Sequence, residues 1–151
     1  MAEFLTALEQ FAPIRALKAS FIAYPLVNAL HIAAIGALWT SIALMDLRVL
    51  GAFRALPEPA FLATLRRVAL IAFALAVASG LTLFAVRAGH YAGMPAFLIK
   101  MGLILLAGLN LVAFQRFVQS PRSQRAPKLA AIASLVLWTA VLICGRFIGF
   151  L

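Results

Sequence analysis

The chain has 151 residues and a formal net charge of +9, and 66% of its residues are hydrophobic while 11% are charged. Its mean hydropathy is +1.08, and its apolar content exceeds the roughly 45–50% of soluble domains. Such a chain cannot bury its apolar side chains in one soluble core, so most of them must face lipid. The composition therefore excludes a soluble globular domain and predicts a single membrane domain over residues 1–151.

The basic residues indicate lipid contact rather than nucleic-acid binding. The thirteen Lys and Arg residues stand between apolar stretches and form no basic patch with interleaved aromatic residues. Contact with anionic headgroups and the topology of the chain account for cations in such positions. We therefore expect the lipid bilayer, and not nucleic acid, as their partner. Cys144 is the single cysteine, which excludes an intramolecular disulfide.

The first predicted element is a short amphipathic helix over residues 3–12. Its apolar residues recur at helical spacing opposite its polar ones: Phe4, Leu5, Leu8, Phe11 and Ala12 against Glu3, Thr6, Glu9 and Gln10. We expect this helix to lie in the membrane interface and to end near Pro13. Because the chain begins with Glu3 and Glu9 and has no basic n-region, we expect the first spanning helix to act as an uncleaved insertion signal.

Four stretches reach the length of about 20 apolar residues that a helix needs to cross a bilayer. They cover residues 21–45, 68–86, 96–114 and 129–150. Turn-forming residues separate them, with Pro57 and Pro59 before the second, Pro95 before the third and residues 120–128 before the fourth. The predicted fold class is therefore all-α: an integral membrane four-helix bundle with a short N-terminal interfacial amphipathic helix.

The loops between these spans predict their orientation. Eight basic residues lie in the first and third loops: Arg48, Arg54, Arg66, Arg67, Arg116, Arg122, Arg125 and Lys128. Four lie toward the opposite side: Arg15, Lys18, Arg87 and Arg146. Because positive residues favour the cytoplasmic side, both termini are expected outside the cytoplasm.

Polar side chains within the spans mark where chemistry could occur, because a polar group in lipid needs a structural partner or a functional reason. Tyr24, Asn28 and His31 share one face of the first span. Lys100 lies early in the third span and Arg146 late in the fourth, so the three basic groups are expected in the outer half of the membrane. No acid is near enough in the sequence pattern to pair with them. A bound anion or an acidic cofactor would balance their charge.

Each of these residues also has a structural interpretation. His31 could serve equally as an interhelical hydrogen-bond donor or as a haem or metal ligand. Lys100 and Arg146 lie near span ends and could instead extend to the outer headgroups. Asp46 is interpreted as an interfacial stop signal, with a role in fixing the cytoplasmic loop as the alternative. His90 lies in the short outer loop, where a solvated ring is expected.

Two patterns in the chain resemble known bacterial families. The run YPLVNALH at 24–31, continued by DLRVLG at 46–51, resembles the signature of a family of uncharacterised four-span membrane proteins. A histidine in the first span with a lysine early in the third, within FLIKMGL at 97–103, is similar to the layout of the membrane-bound four-helix protoporphyrinogen oxidases. That resemblance implies haem b bound through His31 and Lys100. Where that family has Tyr-His after the third-span motif this chain has Leu109-Asn110, so the resemblance implies haem binding more directly than porphyrinogen oxidation.

Ligand chemistry gives a physical account of the same pair. A neutral imidazole and a neutral amine can each donate a lone pair to iron, and burial among Leu and Ile disfavours the charged amine. Arg146 or Arg87 could then meet the haem propionates at the outer surface. The small residues Ser79 and Gly80 would give a flat haem room between the spans. The candidate cofactor-binding residues are His31, Lys100, Arg146, Asn28 and Tyr24, with His31 and Lys100 as the metal ligands.

The predicted function follows from this site. It is a haem b-binding protein of the bacterial inner membrane that passes electrons to or from a quinone or a redox partner subunit. Two alternatives stay open: a membrane enzyme that oxidises a porphyrinogen or another small molecule, and a cofactor-free accessory subunit of a membrane complex. Homo-oligomerisation also stays open.

Overall fold

The computed structural model describes residues 2–119 and 125–150 of the chain. The helices in this part of the chain are α1 (Ala2–Gln10), α2 (Ala12–Ala19), α3 (Ala23–Leu50), α4 (Glu58–Val86), α5 (Ala88–Ala92), α6 (Pro95–Gln119) and α7 (Arg125–Ile148). No strand occurs among the described residues, and the predicted all-α fold is confirmed. Four helices, α3, α4, α6 and α7, are each long and apolar enough to cross a membrane.

The spanning helices run past the apolar stretches from which they were predicted. The first spanning helix, α3, continues five residues beyond the predicted end at 45. It stops at Gly51, whose left-handed φ of 109° suits glycine. The second, α4, begins at Glu58, ten residues before the predicted start, with Pro59 in its first turn. Hydropathy marks the part of a helix that lies in lipid, whereas turn chemistry marks where its hydrogen bonding stops.

The predicted linker over residues 120–128 is shorter in the structure. Its last four residues, 125–128, belong to the first turn of α7 rather than to a loop. Pro127 fits there because the first turn of a helix has no use for its missing N–H group. Residues 120–124, which include the basic Arg122 used in the orientation argument, lie outside the described residues.

The spanning helices pack as two hairpins joined side by side. One hairpin pairs α3 with α4, the other pairs α6 with α7, and α3 joins them by contacting α7. Among the described residues, no Cα atom of α6 comes within 8 Å of a Cα atom of α3 or α4. The spatial order is therefore α4, α3, α7, α6, with the widest seam between α4 and α6.

Small side chains fill the seams of this bundle. The buried apolar residues are mostly alanines, among them Ala34, Ala43, Ala69, Ala72, Ala107, Ala130 and Ala131. Small residues let membrane helices approach closely, because packing rather than water exclusion holds such helices together. Leu38 packs with Ala69 and Ala72 and contacts Trp138 of α7. Large apolar side chains instead cover the outward faces, as expected of helices in contact with lipid.

One end of the bundle, here named the capped end, is covered by α1, α2 and α5. The carboxylate of Glu9 in α1 accepts a hydrogen bond from the Gly89 N–H of α5 at 2.8 Å. The predicted helix over residues 3–12 ends at Gln10, and Pro13 lies in the first turn of α2 instead of ending a helix. Proline stops a preceding helix but fits the first turn of the next one. The N-terminal segment is therefore two short helices joined at Phe11.

The opposite end, here named the loop end, contains residues 51–57 between α3 and α4. The Arg48 guanidinium donates hydrogen bonds to the carbonyl oxygens of Ala52, Phe53 and Leu56. It also forms an ion pair with Glu58 at 3.5 Å. Arg48 is therefore the residue that holds this loop. Asp46 forms no hydrogen bond with a described residue of this loop, and Ser134 of α7 lies near its carboxyl.

Candidate functional site

His31 faces α4 in the half of the bundle nearest the capped end. Its Nδ1 lies 2.9 Å from the Ser79 hydroxyl oxygen. The ring packs against Gly80, where a methyl group in place of the α-hydrogen would come within 2.9 Å of His31 Cε1. A side chain at position 80 would therefore occupy the space of the imidazole. Glycine at 80 lets the ring lie directly on the α4 backbone.

The hydrogen bonds of Ser79 assign the tautomer of His31. Ser79 has one hydroxyl hydrogen, and that hydroxyl donates to the carbonyl of Leu75 one turn earlier. Its oxygen must then accept from His31, so the imidazole proton is on Nδ1. This assignment comes from the hydrogen-bond network, as hydrogen positions generally do. It leaves the lone pair of the ring on Nε2, the arrangement typical of a metal-ligating histidine.

Lys100 reaches from α6 across to α7. A methyl group added at Gly145 would lie 3.3 Å from the Lys100 amine nitrogen, so the side chain packs over that glycine. Cys144 lies beside the amine as well. In the described part of the chain, no hydrogen bond or ion pair engages the Lys100 amine.

His31 and Lys100 lie at similar depths in the bundle. His31 lies eight residues into α3, or about 12 Å along its axis from the capped end. Lys100 lies five residues into α6, or about 7.5 Å from the same end. Both groups therefore stand in one half of the bundle, one on each hairpin. Among the described spanning helices, the hairpins contact each other through α3 and α7.

Aromatic rings close the α4–α6 seam at the capped end. The Phe84 and Phe97 rings stack with centroids 5.2 Å apart. Tyr91 of α5 contacts both rings, at 6.4 Å from Phe84 and 6.1 Å from Phe97. Burial raises the pKa of the Tyr91 hydroxyl, the nearby Tyr24 raises it further, and Arg87 opposes the rise. Tyr24 therefore lies in the vicinity of Tyr91.

The other two predicted site residues do not join His31 and Lys100. Arg146 is exposed, and its guanidinium carbon lies 4.4 Å from the centroid of the Phe150 ring. Asn28 is exposed and forms no hydrogen bond with any described residue. His90 is exposed in α5 with its ring 5.6 Å from that of Tyr91, as expected for a solvated histidine.

Two contacts around the site were not predicted from the sequence. Ser79 was expected to provide room between helices, whereas here it binds His31. The signal was its adjacency to Gly80, since a hydroxyl next to a glycine lets a neighbouring ring approach both. Asn110 of α6 also makes a contact that was not predicted. Its amide donates to the Ala130 carbonyl at 2.9 Å and so ties α6 to α7.

Comparison with family models, with curated proteins and with solved structures finds no match to this chain.

Proposed function

We propose that this protein binds haem b between its two hairpins, through His31 and Lys100, and transfers electrons in a membrane. The observation that carries the proposal is the hydrogen bond between His31 Nδ1 and the Ser79 hydroxyl, with the tautomer assigned above. It fixes the ring and leaves Nε2 as a lone-pair donor. The Lys100 amine, which has no hydrogen-bond partner among the described residues, stands in the same half of the bundle as a second nitrogen donor.

The donor set fits haem better than a bare metal ion. Among the described residues, no group of three or more His, Cys, Asp or Glu side chains could hold a metal ion. His31 and Lys100 offer two nitrogen donors, which leave a bare transition-metal ion short of ligands. A porphyrin would bring four nitrogens of its own, so its iron would need at most two donors from the protein. Two donors on opposite hairpins match that need.

The residues of the chain have separate tasks in this proposal. Ser79 orients the imidazole of His31, and Lys100 supplies its amine from the other hairpin. The cap of Phe84, Tyr91 and Phe97 limits the entry of water at the capped end. Haem, when bound, supplies reversible one-electron chemistry. Its acidic groups require cations, and Arg87 is exposed at the capped end.

A cofactor-free accessory subunit is the second candidate, and one observation favours it. The His31–Ser79 hydrogen bond joins α3 to α4 whether or not a ligand is present. Such bonds contribute about 0.6 kcal/mol on average between membrane helices, which is enough for a structural role. Oxidation of a porphyrinogen or another small molecule is supported by resemblance alone. Asn110, engaged with α7, does not offer the side chain that the resembled oxidases place there.

Optical absorption distinguishes these candidates. Protein expressed with ample haem and purified in mild detergent is expected to show a Soret band that shifts on reduction. Turnover with a porphyrinogen would then separate an enzyme from an electron carrier. Protein that stays colourless after reconstitution with haem would contradict haem binding and favour the accessory subunit.

We also propose the bacterial inner membrane as the location, with the capped end outside the cytoplasm. The basic residues at the other end support this orientation, including Arg48 of α3, Arg54 of the loop, and Arg66 and Arg67 of α4. A reporter that is active only in the cytoplasm is therefore expected to be inactive at the C-terminus and active when inserted at 54–56. Activity in the reverse pattern would place the capped end, and the His31 site with it, on the cytoplasmic side. The proposed electron partner is a quinone or a redox partner subunit. Self-association of the protein is part of the same proposal.

A further inference from the structure

Asp46 is the one acid of this chain that lies in the interior of a spanning helix. The chain has four acids, and the other three are Glu3 and Glu9 in α1 and Glu58 at the start of α4. Asp46 lies four residues before the end of α3, or about 6 Å from the loop end. Its oxygen Oδ2 is buried and has no hydrogen-bond partner among the described residues. Ser134 of α7 lies near the carboxyl.

Four described cations near the loop end form no ion pair with this carboxyl. Arg48, two residues away on the same helix, is held by loop carbonyls and by Glu58. Arg66 and Arg67 of α4 and Lys128 of α7 are exposed at this end. An ionised carboxylate with a buried, unpartnered oxygen carries a large desolvation cost, which binding a proton removes. The site therefore favours the uptake of a proton.

Asp46 lies nearer to the aqueous phase at the loop end than to His31. About 22 Å of helix separates Asp46 from His31, at 1.5 Å per residue. The intervening residues on that face are Ile42, Trp39 and Ile35, and the Trp39 indole is engaged with the Thr139 hydroxyl at 3.2 Å. No chain of hydrogen bonds therefore links the two groups among the described residues. The loop end, about 6 Å away, is the nearer aqueous phase.

We propose that Asp46, with Ser134, is a proton-binding site in the seam between α3 and α7 that exchanges its proton with the aqueous phase at the loop end. The bound proton adds to a carboxylate oxygen and comes from water at that end, so no other reactant is required. The proposal does not depend on haem, and it concerns a separate site in the opposite half of the bundle.

A hydrophobic carbodiimide tests the proposal, because it reacts with protonated carboxyl groups in apolar surroundings. The carboxyl oxygen adds to the central carbon of the reagent, the proton goes to a nitrogen, and rearrangement leaves a stable N-acylurea. Mass spectrometry of the full chain in detergent should find this label on Asp46. Glu9 and Glu58 serve as internal controls and should stay largely unlabelled. Label on those residues with Asp46 unmodified would overturn the proposal.

Substitutions sharpen the test. Asp46→Asn should lose the label, and Asp46→Glu should keep it. Ser134→Ala should keep the label, because it leaves the carboxyl in place. Gel filtration checks that each variant is folded. If Asp46→Asn does not fold, the mapped label on the wild type still decides the question.

Vesicles of known orientation test the direction of exchange. Where the loop end faces the external buffer, raising only the external pH should deprotonate Asp46 and slow its labelling. In vesicles of the opposite orientation the same change should leave the labelling rate unaltered. A rate that responds to the pH at the capped end, or to neither side, would contradict exchange at the loop end.

Discussion

Replacing His31 by alanine is expected to remove the Soret band of protein made with ample haem. His31 is the one imidazole of the chain that lies in a spanning helix, because the other histidine, His90, is in α5. An iron held in the bundle would then have no equivalent ligand. Loss of a ligand should exceed the 10–100-fold cost in affinity that is typical of losing an outer-shell partner. We expect that smaller cost for Ser79→Ala, which removes the hydroxyl that orients the ring.

Lys100→Ala should have a milder effect than His31→Ala. Water, or the thioether of Met101 or Met94, could take the place of the amine. The band should therefore weaken and shift rather than vanish. The shift itself is informative, because a structural lysine would change the stability of the protein without changing the spectrum of bound haem.

The matched control is His90→Ala, which removes an exposed imidazole at the capped end. It should leave the Soret band unchanged. Folding is checked by gel filtration in detergent, where a single interhelical hydrogen bond contributes too little, about 0.6 kcal/mol, for its loss to unfold the bundle. A full Soret band in His31→Ala, or an equal loss in His90→Ala, would contradict the assignment of His31 as ligand.

The depth of the site could be predicted from the sequence, because helical rise and alternating direction fix it. His31 in α3 and Lys100 in α6 both lie a short way from the capped end, whatever the details of packing. The number of spanning helices followed from apolar length in the same way. These features depend on local geometry alone, and the sequence contains all of it.

The direction in which each side chain points could not be predicted. Helical spacing places Asn28 on a face with His31, but it does not say which neighbour that face meets. The answer depends on the spatial order of the helices, in which α3 lies between α4 and α7. His31 consequently meets Ser79, which is 48 residues away, while Asn28 is exposed. Arg146 likewise turns outward onto Phe150.

Side-chain direction at the loop end could not be predicted either. Asp46 and Arg48 lie close together in the sequence, and both were associated with the end of the first span. Two residues in a helix differ by about 200° in direction, so the pair cannot share one environment. Arg48 meets the loop, and Asp46 meets α7. A pairing argument from sequence distance alone would have joined them wrongly.

Gly80 provides a test of the site that does not require a cofactor. A methyl group at position 80 would lie 2.9 Å from His31 Cε1, so Gly80→Ala must displace the ring and weaken its bond to Ser79. Such overpacking typically costs about 1–3 kcal/mol. We expect a loss of stability in that range in detergent unfolding, with weaker binding of haem. Gly80→Val should be more severe.

Matched glycines and a double substitution give the controls. Gly36 of α3 and Gly102 of α6 have no neighbouring atom of the described residues within 4 Å of the added methyl position. Gly36→Ala and Gly102→Ala should therefore be neutral or stabilising, by up to about 1 kcal/mol of helix propensity.

The decisive comparison is the pair His31→Ala and Gly80→Ala, because removal of the imidazole vacates the space that the new methyl group needs. The double variant should be more stable than the sum of the two single effects predicts, by about 0.5–3 kcal/mol for residues in contact. Strict additivity would mean that His31 does not rest on Gly80, and the geometry on which the proposed ligand depends would be wrong.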